Sequence, residues 1–190
     1  MEIGFIATLC LLVFVIAYTV MLYNGLVNLK HNVAKHLANI DVLLKQRHDE
    51  LPKLIETCKQ YMRHEQETLT KVIAARQNVA DAQSSHDMKA LGQAETGLRA
   101  SMGQLFALAE NYPELKADTT FTTLQHRISA LENAIADRRE VYNEAVNNNN
   151  VRIEQFPDVI IARWFRFTAF ELLQFKKEEL SDVNVKSLFS

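Results

Sequence analysis

From Ile3 to Leu22 the chain reads "IGFIATLCLLVFVIAYTVML" without one charged side chain, and this run constrains the fold more than anything that follows. Such a run of about 20 residues at about 1.5 Å rise reaches roughly 30 Å, the thickness of the hydrocarbon core of a bilayer. Tyr18 and Tyr23 stand near one end, where amphipathic aromatics settle at the membrane interface. A cleaved signal peptide wants a basic leading region and small residues at its cleavage site; here only Glu2 precedes the apolar run, and the bulky Leu9 spoils a lipoprotein reading of "ATLC". Residues 1–23 are therefore expected to form an uncleaved transmembrane anchor. Lys30, Lys35, Lys45 and Arg47 follow the run and no Lys or Arg precedes it. The positive-inside rule then predicts a single pass, with the short N-terminus outside and the large domain in the cytoplasm.

Only 5 glycines and 3 prolines punctuate the 190 residues. Sheets need turns and turns need those residues, so the remainder is predicted to be helical. A net charge of −2 gives no basic stripe of the kind nucleic acid demands, so no nucleic-acid partner is expected. Cys10 lies in the apolar run and Cys58 in a polar stretch, which argues against a disulfide framework.

Beyond the anchor the apolar spacing is helical. Leu26, Leu29, Val33, Leu37, Ile40 and Leu44 recur at three- and four-residue steps, the pattern of one buried helix face. In "QRHDELPKLIETC" (46–58) Pro52 disfavours α geometry at the residue before it and suits a first helical position. The stretch reads as a corner, with helix 1 ending near Glu50 or Leu51 and helix 2 running from about Pro52 to Asp81. Ser84 or Ser85 is a plausible cap for helix 3, which carries Leu91, Leu98, Met102, Leu105 and Ala109 and stops at "NYPELKAD". Asp118 or Thr119 can cap helix 4, with Phe121, Leu124, Ile128, Leu131, Ile135 and Tyr142 in a heptad-like, coiled-coil seam. The run "NNNN" at 147–150 reads as a weakened part of that long helix, ending before Pro157. The expected fold is all-α: a transmembrane helix continuing into an up-down antiparallel four-helix bundle over 24–156, then an aromatic-rich tail over 157–190.

Chemistry has little to work with. None of the six histidines has a glutamate three residues before it, as ferritin-like metal pairs require, and "HEQET" (64–68) puts Thr68 where a zinc-binding motif needs its second histidine. Cys58 and His64 face apart on a helix, so Cys58 reads as a small buried hydrophobe. Glu65, Arg76 and Arg138 at inward register are expected to pair with one another at core edges. No catalytic, metal or cofactor site is expected, and the chain reads as a non-enzyme.

Five stretches carry a family resemblance: "YNGLVNLKHNV" (23–33), "IDVLLKQRHDELPKLIETCKQYMRHEQETL" (40–69), "ENYPELKAD" (110–118), "RREVYNEAV" (138–146) and "FPDVIIARWFRF" (156–167). Together they resemble the LemA family, bacterial proteins with an N-terminal membrane segment and a helical bundle. The resemblance implies the inner (cytoplasmic) membrane and that fold, and it supplies no enzymatic activity. His48 stands where a tyrosine is more usual, and the asparagine run is unusual.

Helices that leave the membrane and return would deliver the chain after Phe156 to the membrane-proximal end. There Phe156, Trp164, Phe165, Phe167, Phe170 and Phe175 crowd beside Arg163 and Arg166. Aromatics with arginine favour a membrane interface or a protein interface, against the plainer reading that they close the end of the bundle. Residues 156–175 are expected to pack against the bilayer surface and a neighbouring copy. The chain is thus read as a membrane-anchored scaffold that self-associates into a homo-oligomer; the alternative is a signalling or quality-control adaptor that recruits a partner membrane protein.

Overall fold

Helix α1 runs from Glu2 to Tyr61 without interruption, through Pro52. The computed structural model describes residues 2–174, and these are helical apart from short connections and the last residues. After α1 come α2 (Gln66–Ser85), α3 (Met88–Ala109), α4 (Pro113–Ala117), α5 (Thr119–Glu154) and α6 (Asp158–Trp164). The described residues divide into two compact units. One comprises residues 2–39 with Glu140–Glu171, the other Ile40–Arg139 with residues 172–174. The anchor run lies in α1, the one helix among the described residues long and apolar enough to cross a membrane. Its large apolar side chains, Phe5, Leu11 and Phe14 among them, face outward.

The corner expected at Pro52 is absent. A proline inside a helix lacks the N–H that would bond the carbonyl four residues back, and the helix is broken or kinked at a cost of about 3 kcal/mol. Here that stranded carbonyl belongs to His48, and the Arg76 Nε of α2 donates to it at 3.0 Å. An Arg76 terminal nitrogen also meets His48 Nε2 at 2.5 Å. With its orphaned acceptor satisfied, α1 continues, and Leu51, Leu54, Ile55 and Cys58 join its buried face. Arg76 therefore serves a backbone group rather than Glu65 or Arg138. Glu65 instead accepts from the Tyr112 hydroxyl at 3.1 Å, and Arg138 is exposed.

The reversal between α1 and α2 comes at residues 62–65, where the sequence has neither glycine nor proline. Tertiary hydrogen bonds hold it. Tyr61 donates to Asp118 Oδ2 at 2.9 Å, and Glu65 at the start of α2 takes the Tyr112 bond. Moving along α1 from Asp41 to His48 moves back along α2, from Gln83 to Arg76, the mark of antiparallel pairing. The helices expected after the first thus become a 20-residue α2, a 22-residue α3 and a 36-residue α5, with a 5-residue α4 between the last two.

Other signals read as expected or nearly so. Asp87, rather than Ser84 or Ser85, caps α3 by accepting from Ala90 N at 2.8 Å. Pro113 opens α4 instead of only stopping α3. Asp118 caps α5, accepting from the Thr120 and Phe121 amides. Phe121, Leu124, Ile128, Ile135 and Tyr142 are buried along α5, with Leu131 half-buried. The least expected core feature is an ion pair: Arg47 of α1, 2% exposed, donates through Nη2 to Glu95 of α3, 5% exposed. Breaking such a pair from one side strands a buried charge and costs about 3–5 kcal/mol.

Two outcomes follow for the Pro52 segment. Arg76→Met should lower stability by about 1 kcal/mol, the cost of leaving a part-buried carbonyl without its donor. In a Pro52→Ala background, which restores an N–H, that loss should fall by more than half; thermal melts of the four variants in detergent measure the coupling. Strict additivity would mean that Arg76 does not serve the His48 carbonyl. Burial, and then the Arg76 charge, depress the His48 imidazole below 6.5. The unfolded chain then binds the proton first, so stability present above 6.5 is lost as pH falls from there through the lower folded value. The melting temperature should drop across this window, and less so in His48→Ala.

Candidate functional site

The chain that leaves α5 is held by the asparagines that looked out of place in a helix. Asn149 and Asn150 lie inside α5. The Asn150 side-chain amide donates to the Phe170 carbonyl at 2.9 Å and accepts the Phe170 N–H at 2.9 Å. A side-chain amide carries the same donor–acceptor pair as a peptide unit, so one residue clasps the backbone of the returning chain. Farther along α5 the buried Tyr142 hydroxyl donates to the Glu171 carbonyl at 2.9 Å, and burial pushes that phenol up from its ordinary value. In the other unit, the carbonyl oxygen of Gln174 would sit only 2.0 Å from a Cβ added at Gly92. That position therefore admits no side chain without moving the tail.

Between Pro157 and this clasp lies α6, which is amphipathic in the wrong sense for a soluble helix. Its buried side holds Asp158, paired with Arg152 Nε at 2.7 Å, and Ala162. The opposite side holds Ile160 at 53% exposure and Trp164 at 80%, and Phe156, two residues before α6, is 80% exposed. Arg163 beside Trp164 is also exposed. The small Ala162 and the paired Asp158 face in while Ile160 and Trp164 face out.

The end of α6 turns the chain onto α1. The Phe167 amide donates to Ala162 O at 2.9 Å and the Arg166 amide to Arg163 O at 3.3 Å, a Schellman closure. Its left-handed position, φ 58°, is filled by Arg166, where glycine is the norm and another L-residue costs roughly 1–2 kcal/mol. Phe165 then packs on Tyr23, ring centres 4.7 Å apart, and Phe167 meets the same ring edge-on at 5.9 Å. Tyr23 is the first residue after the apolar run.

A cavity of about 280 Å³ opens beside these rings. Lys30 and His31 of α1 line one side of it, and Phe165, Arg166, Phe167 and Phe170 the other. The structure thus gathers four of the eight candidate residues at one cavity. Arg163 and Trp164 are exposed on α6 instead, and Phe156 is exposed just before it. Phe175 lies outside the described residues. From the sequence Lys30 reads only as a charge flanking the apolar run and the asparagines only as a weakened stretch of helix, and His31 was not singled out. Their signal was there in outline: lysine and histidine two turns beyond an apolar run, and amides where a helix has no use for them.

The Cys58 thiol, fully buried, is pushed up to about 12 by that burial, so it stays protonated and is a poor nucleophile. Among the described residues no group of three or more His, Cys, Asp or Glu side chains converges as metal ligands would. Asn150→Ala should release the tail: protection of the Phe170 amide against hydrogen exchange should fall at least about tenfold, since its bonding partner is gone. Unchanged exchange at Phe170 would show that the clasp is not what holds this segment.

Residues 36–187 match the family model described as the LemA family. Two relatives, magnetosome proteins MamQ 1 and MamQ 2 of Paramagnetospirillum magneticum, are each 31% identical over 101 residues, 53% of this chain and 37% of theirs. Magnetosome protein MamQ of Magnetospirillum gryphiswaldense is 32% identical over 69 residues, 36% of this chain and 25% of its own. The chain therefore spans well under half the length of these relatives.

Proposed function

The chain belongs to the LemA family, and from that premise we propose that it is a membrane-anchored, non-enzymatic helical scaffold that self-associates at the bilayer. The observation that carries this reading is the exposure of Ile160 and Trp164, one turn apart on α6, with Phe156 exposed just before that helix. Exposed singly such residues mean little; gathered on one short segment, with Asp158 buried on the other side of the helix, they call for a cover. Within the same unit the chain continues from α6 directly onto Tyr23, at the end of the apolar run. That placement supports a cover made of the headgroup layer and a second copy of the same segment. Arginine beside tryptophan suits both surfaces. The lysines after the run support a cytoplasmic domain in the bacterial inner membrane, with an antiparallel helical bundle as its body. The poor nucleophilicity of Cys58 supports a role without catalysis.

The alternative is an adaptor whose exposed segment recruits a partner membrane protein. The experiment separates them. Full-length protein should resist high-salt and carbonate extraction, and deletion of residues 1–23 should free it. In detergent it should run as a homo-oligomer, and truncation after Gln155 should reduce that mass to a monomer. A monomeric full-length protein, or an assembly unchanged by the truncation, would overturn self-association through this segment. A stoichiometric second protein that is lost on truncation would support the adaptor.

A further inference from the structure

The cavity beside Tyr23 has basic side chains and no acidic one. Lys30, His31 and Arg166 line it, beside Asn149 and Thr168. Among the described residues no carboxylate pairs with Lys30, His31 or Arg166. Cations gathered around a concavity without a counter-charge repel one another unless an anion joins them. Arg166 adds to the case by its backbone. It occupies the left-handed closing position of α6, where glycine would be the relaxed choice, so its side chain is present against a conformational cost.

Position says which anion. Lys30 lies about 12 Å along the helix from Leu22, the last residue of the apolar run, just beyond a headgroup layer of about 5–8 Å. Side chains on a helix lean toward its N-terminus, which here is toward the bilayer. Lys30 and His31 therefore reach back to the depth of lipid phosphates. The Tyr23 and Phe165 rings form the lower wall, where the glycerol region of a lipid would begin.

We propose that this cavity binds the phosphate of an anionic membrane lipid headgroup, with Lys30, His31 and Arg166 as its ligands. The inference rests on residues 3–22 crossing the bilayer. It gives the anchored end of the chain a lipid-selective seat, separate from the exposed side of α6.

The test uses full-length protein in dodecyl maltoside micelles, doped with dioleoylphosphatidylglycerol or dioleoylphosphatidylcholine, and separately titrated with inorganic phosphate. Trp164, the single tryptophan, lies two residues from Arg166 and reports binding by its emission; native mass spectrometry counts bound lipid. Phosphatidylglycerol should saturate the signal at least about tenfold more tightly than phosphatidylcholine, and Lys30→Gln and Arg166→Gln should each weaken it about fivefold. Arg63→Gln, at an exposed position in the 62–65 connection, should change nothing. Arg166→Gly is the sharpest variant. It relieves the left-handed strain, so it should melt no lower than the wild type, yet lose the lipid preference as Arg166→Gln does. Equal binding of the two lipids, or an equal loss in Arg63→Gln, would overturn the site. Saturation by inorganic phosphate without competition from phosphatidylglycerol would assign the cavity to a soluble anion and overturn the lipid. Carbonate resistance of the same variants reads the anchor independently, so the site can fail while the anchor stands.

Discussion

One backbone carbonyl, that of His48, decides where the first helix of this protein ends. Pro52 cannot donate to it, and an unpaired carbonyl in a buried helix would favour a break within that turn. Arg76 reaches across from α2 and supplies the missing donor. The consequences accumulate down the chain. Leu51, Leu54, Ile55 and Cys58 stay on one helical face, and the reversal moves to residues 62–65. There Tyr61 and Glu65 find partners on the segment between α3 and α5. A conformational penalty in α1 is offset by a side chain that belongs to a different helix.

The tail follows the opposite logic: polar side chains hold backbone, and apolar side chains are left over. Tyr142 and Asn150 spend their polar groups on Glu171 and Phe170 carbonyls. α6 turns Asp158 inward to Arg152 and sends Ile160 and Trp164 outward, with Phe156 exposed just before it. In water that arrangement would forgo apolar burial with no return. At the surface of a bilayer, or against a second copy, the same exposed side chains are the part that gains.

Periodicity made the helical class and most of the core legible in the sequence: Ile128, Leu98 and Val33 are buried where three- and four-residue spacing places them. The charge-free run and the Asp118 cap were equally plain. What misled was reading Pro52 locally. Its effect depends on a donor 24 positions away, and no window of neighbouring residues contains that information. The Arg47–Glu95 pair was hidden for a similar reason, since a lone arginine in a polar stretch looks solvated until another helix covers it. Of the aromatic-rich segment, composition showed only that aromatic and basic side chains crowd there. It could not show which rings turn in to Tyr23 and which turn out, because that is settled by the closing turn at Arg166 and the asparagine clasp.

That clasp reads no side chain of its guest. Asn150 bonds the amide and carbonyl of Phe170, groups that every residue but proline offers alike. Ala169 and Glu171 beside it are exposed. Sequence drift at those two positions would therefore leave the docked path intact, whereas a proline at position 170 would erase half of the clasp by removing its N–H. The surface of this segment is free to diversify while its course stays pinned.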